Sequence, residues 1–401
     1  MTPRSRARWL VACLALAAFV AAPPALAQVE TSAPPVLTAP SAPAVVGAPP
    51  STWPAPAAEA VTASSWVLVE AATGQRLAEH AADDPRPVAS TVKILTALTA
   101  VARVDLDQTV TVGDEVLVGG ASVGLEPGET WTVRELLEAT LVRSGNDATE
   151  ALATHVAGDT EAFVSLMRED AAALGIEGGE LGSPSGLGDE NLLTALDLAV
   201  LARAALEQPA LRPFFTLEEV TLPGAEPVES RNLLLRTYPG ATGLKTGFTT
   251  AAGNSLVASA ERNGRELIAV VLDAGDDPAR FEQAAELLDL GFDGYVGHTL
   301  GTRLELAVAG GWQAFSAPEI VLTAPLAHEP SIEVAVPQRV PEGALDGRVT
   351  VAGDEVATTT LVPDQAGGAA SAAGSAGRLG AALVDGVYAS LRAANSAGAL
   401  R

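Results

Sequence analysis

A serine followed three residues later by a lysine can pair a nucleophile with its base. Ser90 and Lys93 stand in that relation, within Val88-Ala89-Ser90-Thr91-Val92-Lys93-Ile94-Leu95-Thr96. On a helix, positions i and i+3 share one face a turn apart. A hydroxyl is a weak nucleophile at neutral pH and needs a neighbour to take its proton. Composition adds weight to Lys93. Of the 24 basic residues only two, Lys93 and Lys245, are lysines; the rest are Arg. A guanidinium stays protonated at any useful pH, whereas an ammonium can be desolvated until it gives up its proton. A chain that otherwise uses Arg keeps Lys where the chemistry requires it. Taken alone, S-x-x-K is a common pattern, and its plainer reading is a serine and a lysine near the start of a helix.

Two further stretches carry candidate chemistry. Ser144-Gly145-Asn146 lies between two helical patterns. A loop bent at Gly145 can point Ser144 and Asn146 into one cleft, although a plain helix connector reads the same. Lys245-Thr246-Gly247 holds the second lysine. Gly120-Ala121-Ser122-Val123-Gly124 matches the nucleophile elbow, which needs a strand before it and a helix after it. Leu125-Glu126-Pro127-Gly128-Glu129 follows instead. That is turn chemistry, so a structural loop is expected. His80, His155, His298 and His328 are scattered, with no H-E-x-x-H. A metal site and a Ser-His-Asp triad are disfavoured, and no cofactor is expected.

The elements that would position these residues follow from periodicity. Ser65–Glu70 and Arg76–Glu79 read as a hairpin that delivers the chain to Ser90. Ser90 to Val101 is a mostly apolar helix, hence buried, with its positive dipole end at the serine. Thr132 and Glu135 form a capping box for a helix ending near Ser144. Helices are also expected over 148–156, 167–174, 194–206 and 281–290. Ser255–Ala260 and Glu266–Leu272 are strands turned at Asn263-Gly264. Strands at both ends and helices between them predict one antiparallel sheet built from both termini.

Together and in this order, Ser90-x-x-Lys93, Ser144-Gly145-Asn146 and Lys245-Thr246-Gly247 resemble the three signatures of the penicillin-interacting serine enzymes. Between about Trp66 and Tyr295 the chain is similar to the low-molecular-mass penicillin-binding proteins, the D-alanyl-D-alanine carboxypeptidases. Ser185-Gly186-Leu187, Asp197-Leu198-Ala199 and Arg231-Asn232-Leu233-Leu234 add to the likeness. The resemblance implies an α+β fold: a β-lactamase/transpeptidase-like domain, with helices on both sides of an antiparallel sheet, followed by a small β domain. It implies that Ser90 attacks the penultimate D-Ala carbonyl and that Lys93 takes its proton. Ser144 would relay a proton to the leaving amine, and Lys245 would hold that network with a fixed positive charge. Asn146 would bind the substrate backbone and Thr246 the terminal carboxylate. The N–H groups of Ser90 and Phe248 would form an oxyanion hole, beside Gly247. The implied partners are peptidoglycan stem peptides ending in D-Ala-D-Ala, with β-lactams as covalent inhibitors. Relatives often carry an Arg after the strand equivalent to Ala269–Leu272. Here that loop is acidic, Asp273-Ala274-Gly275-Asp276-Asp277, and Arg280 falls at an expected helix start.

Two other classes compete. A class A-like β-lactamase would place a deacylating Glu near Glu180, but the expected E-x-x-L-N is absent there. A non-catalytic wall-binding module would need neither Ser90, Lys93 nor Ser144.

Residues 1–27 read as a secretory signal, with Arg4, Arg6 and Arg8 ahead of an apolar run and Ala25-Leu26-Ala27 at its end. The lone Cys13 leaves with it. The net charge of −25 then becomes three units more negative, which disfavours nucleic acid and anionic membranes as partners. Residues 28–61 form a Pro/Ala-rich tether and 62–297 the catalytic domain. Residues 298–364 read as the small β domain, and 365–401 as a linker with an amphipathic tail helix. That helix reads equally as a peripheral membrane contact or a plain tail. Export puts the protein in the periplasm or cell envelope, on the outer side of the cytoplasmic membrane.

Overall fold

The computed structural model describes residues 60–308, 311–326, 330–335, 345–351, 354–363 and 388–391. The expected signal and most of the tether lie outside the described residues.

Val67 and Val69 alternate with Trp66 and Leu68 along β1 (Ser65–Glu70), and all four are buried. In a strand, successive side chains point to opposite faces, so both faces of this one are covered. β1 pairs with β2 (Arg76–His80) and with a strand from the far end of the domain. The other three strands are β3 (Ala241–Thr249), β4 (Gly253–Arg262) and β5 (Arg265–Leu272), giving the antiparallel order β2-β1-β5-β4-β3. Val67 faces Val270 and Trp66 faces Val271 across the β1–β5 pair. Asn263 and Gly264 both take positive φ, 54° and 78°, as the two-residue hairpin turn between β4 and β5 requires. The sheet therefore joins the two ends of the domain, as the sequence predicted.

One face, with Val67, Val69, Val257, Ile268 and Val270, packs on the central helices. These are α1 (Lys93–Val101), α2 (Val133–Val142), α3 (Asn146–Ala157), α4 (Thr160–Ala173) and α5 (Ala195–Glu207). The other face, with Leu68, Leu256, Ala258 and Val271, packs on Phe281, Ala284, Leu287 and Leu288 of α6 (Asp277–Gly294). The capping box at Thr132 is formed: its Oγ1 accepts from Glu135 N at 3.2 Å, and Glu135 Oε2 accepts from Thr132 N at 2.7 Å. α4 starts earlier than expected because Asp159 caps it, accepting from Ala162 N at 2.7 Å. α1 is buried along nearly its whole length. A helix apolar all round belongs inside a core. Arg103, just past its end, forms a two-pronged ion pair with Asp170 of α4 at 2.7 and 3.0 Å.

The second sheet comprises β6 (Tyr295–Val308), β7 (Gly311–Pro325), β8 (Pro330–Ala335), β9 (Leu345–Val351), β10 (Asp354–Pro363) and β11 (Tyr388–Leu391), in the order β6-β7-β10-β9-β8-β11. β6 starts at Tyr295, straight from α6, and β10 was not anticipated. A buried amide joins the two sheets: Gln75 Nε2 donates to Thr323 O at 2.6 Å, and Gln75 Oε1 accepts from Thr323 N at 2.7 Å. Residues 388–391 correct the expected tail helix. They form a strand on the edge of β8, from Ile332↔Leu391 to Ala335↔Tyr388. An open strand edge offers unpaired N–H and C=O groups, and pairing with them overrides a local helical pattern. The rest of that expected helix lies outside the described residues.

The Arg103–Asp170 pair is almost fully buried and ties the end of α1 to α4. Asp170→Ala leaves a buried guanidinium without its counter-charge. Urea unfolding should show a loss of about 3–5 kcal/mol. A loss inside the range of surface substitutions would mean that α1 is held by apolar packing alone.

Candidate active site

Ser90 sits in a short 3₁₀ turn, Ala89–Val92, that leads into α1. Ala89 takes a left-handed φ of 46°, a conformation that costs an alanine about 1–3 kcal/mol. The turn is closed by Val88 O, which accepts from Thr91 N at 3.2 Å and from Thr91 Oγ1 at 2.7 Å. One turn on, Lys93 Nζ lies 2.9 Å from Ser90 Oγ. Lys93 is fully buried, and its amine also meets Asn146 Oδ1 at 2.8 Å and the carbonyl of Ser185. Both of those oxygens can only accept. A neutral amine has two N–H donors and one lone pair, so two carbonyls take the hydrogens and the lone pair faces Ser90. Burial is the main cause that pulls Lys93 down to about 7; Arg231 adds to it, while Glu150 and Asp147 oppose it.

Ser144 follows α2 with a left-handed φ of 66°, and Asn146 opens α3. That kink lets both side chains face the same cleft, where a continuous helix would set them apart. Ser144 Oγ accepts from Lys245 Nζ at 2.9 Å. Asn146 Nδ2 donates to Gly119 O at 2.9 Å, which fixes the carboxamide with its oxygen toward Lys93.

β3 supplies the third wall. Lys245 Nζ also donates to Thr246 O at 2.9 Å. Gly247 is required for approach: a Cβ there would lie 2.9 Å from Val88 O and 3.0 Å from Thr91 Cγ2, inside the nucleophile turn. Gly186 does the same for the opposite wall, since a Cβ would lie 2.1 Å from Ala89 O. Thr246 is buried, and Phe248 stands 61% exposed at the cleft mouth. Burial, then Lys93, Arg231 and Arg280, push the proton affinity of Lys245 well below the ordinary lysine range.

Arg280 lies at a helix start, as expected. Asp276 caps α6, accepting from Ala279 N at 3.0 Å, so Arg280 falls in the first turn and is buried. Its Nη1 donates to Gly247 O at 3.0 Å, its Nη2 pairs with Asp277, and Nε has no partner among the described residues. Ser185 acts through its main chain, for which no side-chain pattern exists. Glu180 is exposed and its backbone pairs with Leu192, so its side chain is no part of the buried cluster. Ser122 lies in a loop, in agreement with the rejection of the elbow.

The cleft thus gathers every candidate motif: a hydroxyl facing a depressed amine, a second hydroxyl on a second amine, and guanidinium groups nearby. It suits acyl transfer from a substrate that carries an anion.

A family model described as D-alanyl-D-alanine carboxypeptidase matches residues 52–276. A D-alanyl-D-alanine carboxypeptidase of Mycobacterium tuberculosis is 37% identical over 243 residues, 57% of this chain and 82% of that one. One from Bacillus subtilis is 33% identical over 252 residues, 60% of this chain and 65% of that one, just under two thirds of its length. Among solved structures, penicillin binding protein 6B from Escherichia coli superposes with a TM-score of 0.63 at 30% identity, over 75% of this chain and 95% of that one. The carboxypeptidase DacD from Francisella tularensis gives 0.68 at 25% identity, over 75% and 92%. With three motifs meeting in one cleft and more than half its length matched, the chain belongs to the D-alanyl-D-alanine carboxypeptidase family of peptidases.

Proposed function

We propose that the protein is a serine-type D-Ala-D-Ala carboxypeptidase that trims peptidoglycan stem peptides through an acyl-enzyme on Ser90. The observation that carries this reading is the buried Lys93 amine, which sits 2.9 Å from Ser90 Oγ and between the Asn146 and Ser185 oxygens, with no carboxylate among the described residues in contact. Ser90 Oγ attacks the penultimate carbonyl carbon as its proton passes to Lys93 Nζ. The N–H groups of Ser90 and Phe248 receive the developing oxyanion. As the C–N bond breaks, the leaving amine gains a proton through Ser144 and Lys245. Water then cleaves the ester and frees Ser90. Asn146 holds the substrate backbone. Thr246 and Arg280 hold the terminal carboxylate, an anion that favours the charged form of Lys245. β-Lactams enter the same cleft and acylate Ser90.

An enzyme of that substrate class works in the cell envelope, which fits the export signal and tether read from the sequence. No described helix is long and apolar enough to cross a membrane.

Ser90→Ala should abolish both peptide hydrolysis and labelling by a fluorescent penicillin. Covalent label on the intact variant would remove Ser90 as nucleophile.

For the wild type, kcat/KM on a soluble D-Ala-D-Ala peptide should rise with pH through about 7, as Lys93 loses its proton. Below that pH it should fall about tenfold per unit. Lys93→Arg keeps the charge but cannot become neutral, so acylation should drop by roughly 10²–10⁴. Lys245→Arg still donates to Ser144 and the substrate anion, so its loss should be the smaller one. Equal losses at the two sites would mean that the base is misassigned.

Arg280→Ala should lower kcat/KM on the free-acid peptide by about tenfold or more, the worth of a charge-assisted hydrogen bond. The C-terminal amide of the same peptide should be affected far less. A parallel loss on acid and amide would assign Arg280 to holding β3 rather than the carboxylate.

A further inference from the structure

Asp147, the residue after Asn146, is 1% exposed and takes no part in the steps above. Its carboxylate is ringed by donors. Oδ2 accepts from Ser122 Oγ at 2.5 Å, Val123 N at 3.0 Å, Gly124 N at 2.9 Å and Leu125 N at 3.1 Å; Oδ1 accepts from Ala148 N at 2.9 Å. The loop so gathered meets Asn146 at its other end. Gly119 O accepts from Asn146 Nδ2 at 2.9 Å, and Ala121 O accepts from Asn146 N at 2.7 Å. We infer that Asp147 is a positioning residue for this reaction: its carboxylate moulds residues 119–125 over Asn146 and thereby keeps the Asn146 oxygen on Lys93.

The chemistry of the ring favours a carboxylate over any neutral substitute. An ionised carboxylate only accepts, and every group facing it here donates. An amide in its place turns one accepting oxygen into a donor against donors. The loop then has reason to lift, and the Asn146 carboxamide loses the carbonyl that fixes its orientation. Asp147 also acts through space. Together with Glu150, on the same helix, it favours the proton on Lys93, while Arg231 opposes it. Lys93 in turn lowers the proton affinity of Lys245, on the facing strand. Removing the Asp147 charge shifts this balance toward the neutral amine. A purely structural role in the loop would leave that balance alone.

The inference rests on Lys93 being the base, and the experiment separates the two. The second-order rate of acylation by a fluorescent penicillin is measured against pH for the wild type, Asp147→Asn, Gly120→Ala and Lys93→Ala. Asp147→Asn should lose about tenfold or more in rate, and its decline toward acid should move to lower pH. Gly120→Ala keeps the charge but puts a Cβ 2.6 Å from Asn146 Nδ2, at a backbone φ of +80°. It should lose about tenfold or more with the acid decline unmoved. An unmoved acid decline in Asp147→Asn, or a wild-type rate in Gly120→Ala, overturns the inference. If Asp147→Asn does not fold, Gly120→Ala in its exposed loop decides the positioning claim alone. Acylation of Lys93→Ala at the wild-type rate would instead overturn the base assignment beneath it. A silent Lys93→Ala beside wild-type behaviour in the other two leaves the base in place and removes only the role of Asp147.

Discussion

The active cleft depends on burying an amine without giving it a carboxylate partner. Lys93 is sealed from water, and its three contacts are a hydroxyl, an amide oxygen and a main-chain carbonyl. A contacting carboxylate would stabilise the ammonium and end its use as a base. Acids are nearby but occupied. Asp147 is filled by loop amides, and Glu150 accepts from Thr160 Oγ1 at 2.9 Å. They act on Lys93 only through space, weakly enough that burial wins and the amine settles near neutrality. The same logic governs Lys245, which burial pushes down first, with Lys93, Arg231 and Arg280 adding to it.

Such an arrangement needs rigid walls, because a mobile cleft would admit water and let the lysines charge. The sheet, with a core on each face, provides one wall and buried α1 the floor. Local strain is placed where the walls meet. Ala89 and Ser144 both sit in the left-handed region, one ahead of the nucleophile and one within the second motif. Gly247 and Gly186 bring β3 and the 185–187 loop against the nucleophile turn from opposite sides. The glycine of Lys245-Thr246-Gly247 is therefore a packing requirement, set by Val88 O and Thr91, as much as part of a recognition strand.

Much of this was legible because the site is made of side chains with unusual types at fixed intervals. Ser90 and Lys93 needed only helical spacing, and the sheet needed only alternation plus Asn263-Gly264. The gaps have physical causes. Ser185 contributes a carbonyl, and any residue has one. Arg280 reaches β3 from a helix on the far face of the sheet, a contact that neither local spacing nor the acidic 273–277 loop announces. The lowered proton affinity of Lys245 comes from burial beside Lys93, Arg231 and Arg280, which is invisible until they are placed together. Tyr388–Leu391 read as helix because they close a stripe at helical spacing that runs from Leu379, whereas these four residues pair with the free edge of β8.

The division of labour between Lys and Arg now has a structural basis. Every ion pair among the described residues is made by Arg: Arg103 with Asp170, Arg212 with Glu266, Arg262 with Asp289, Arg265 with Glu70. A planar, permanently charged head holds a carboxylate in fixed geometry and tolerates partial burial. None of those pairs needs a proton to leave. On the proposed reading a guanidinium fails at Lys93, which must accept the Ser90 proton, while at Lys245 it costs mainly geometry. In a chain of net charge −25, this cleft brings Lys93, Lys245, Arg231 and Arg280 close enough to act on one another.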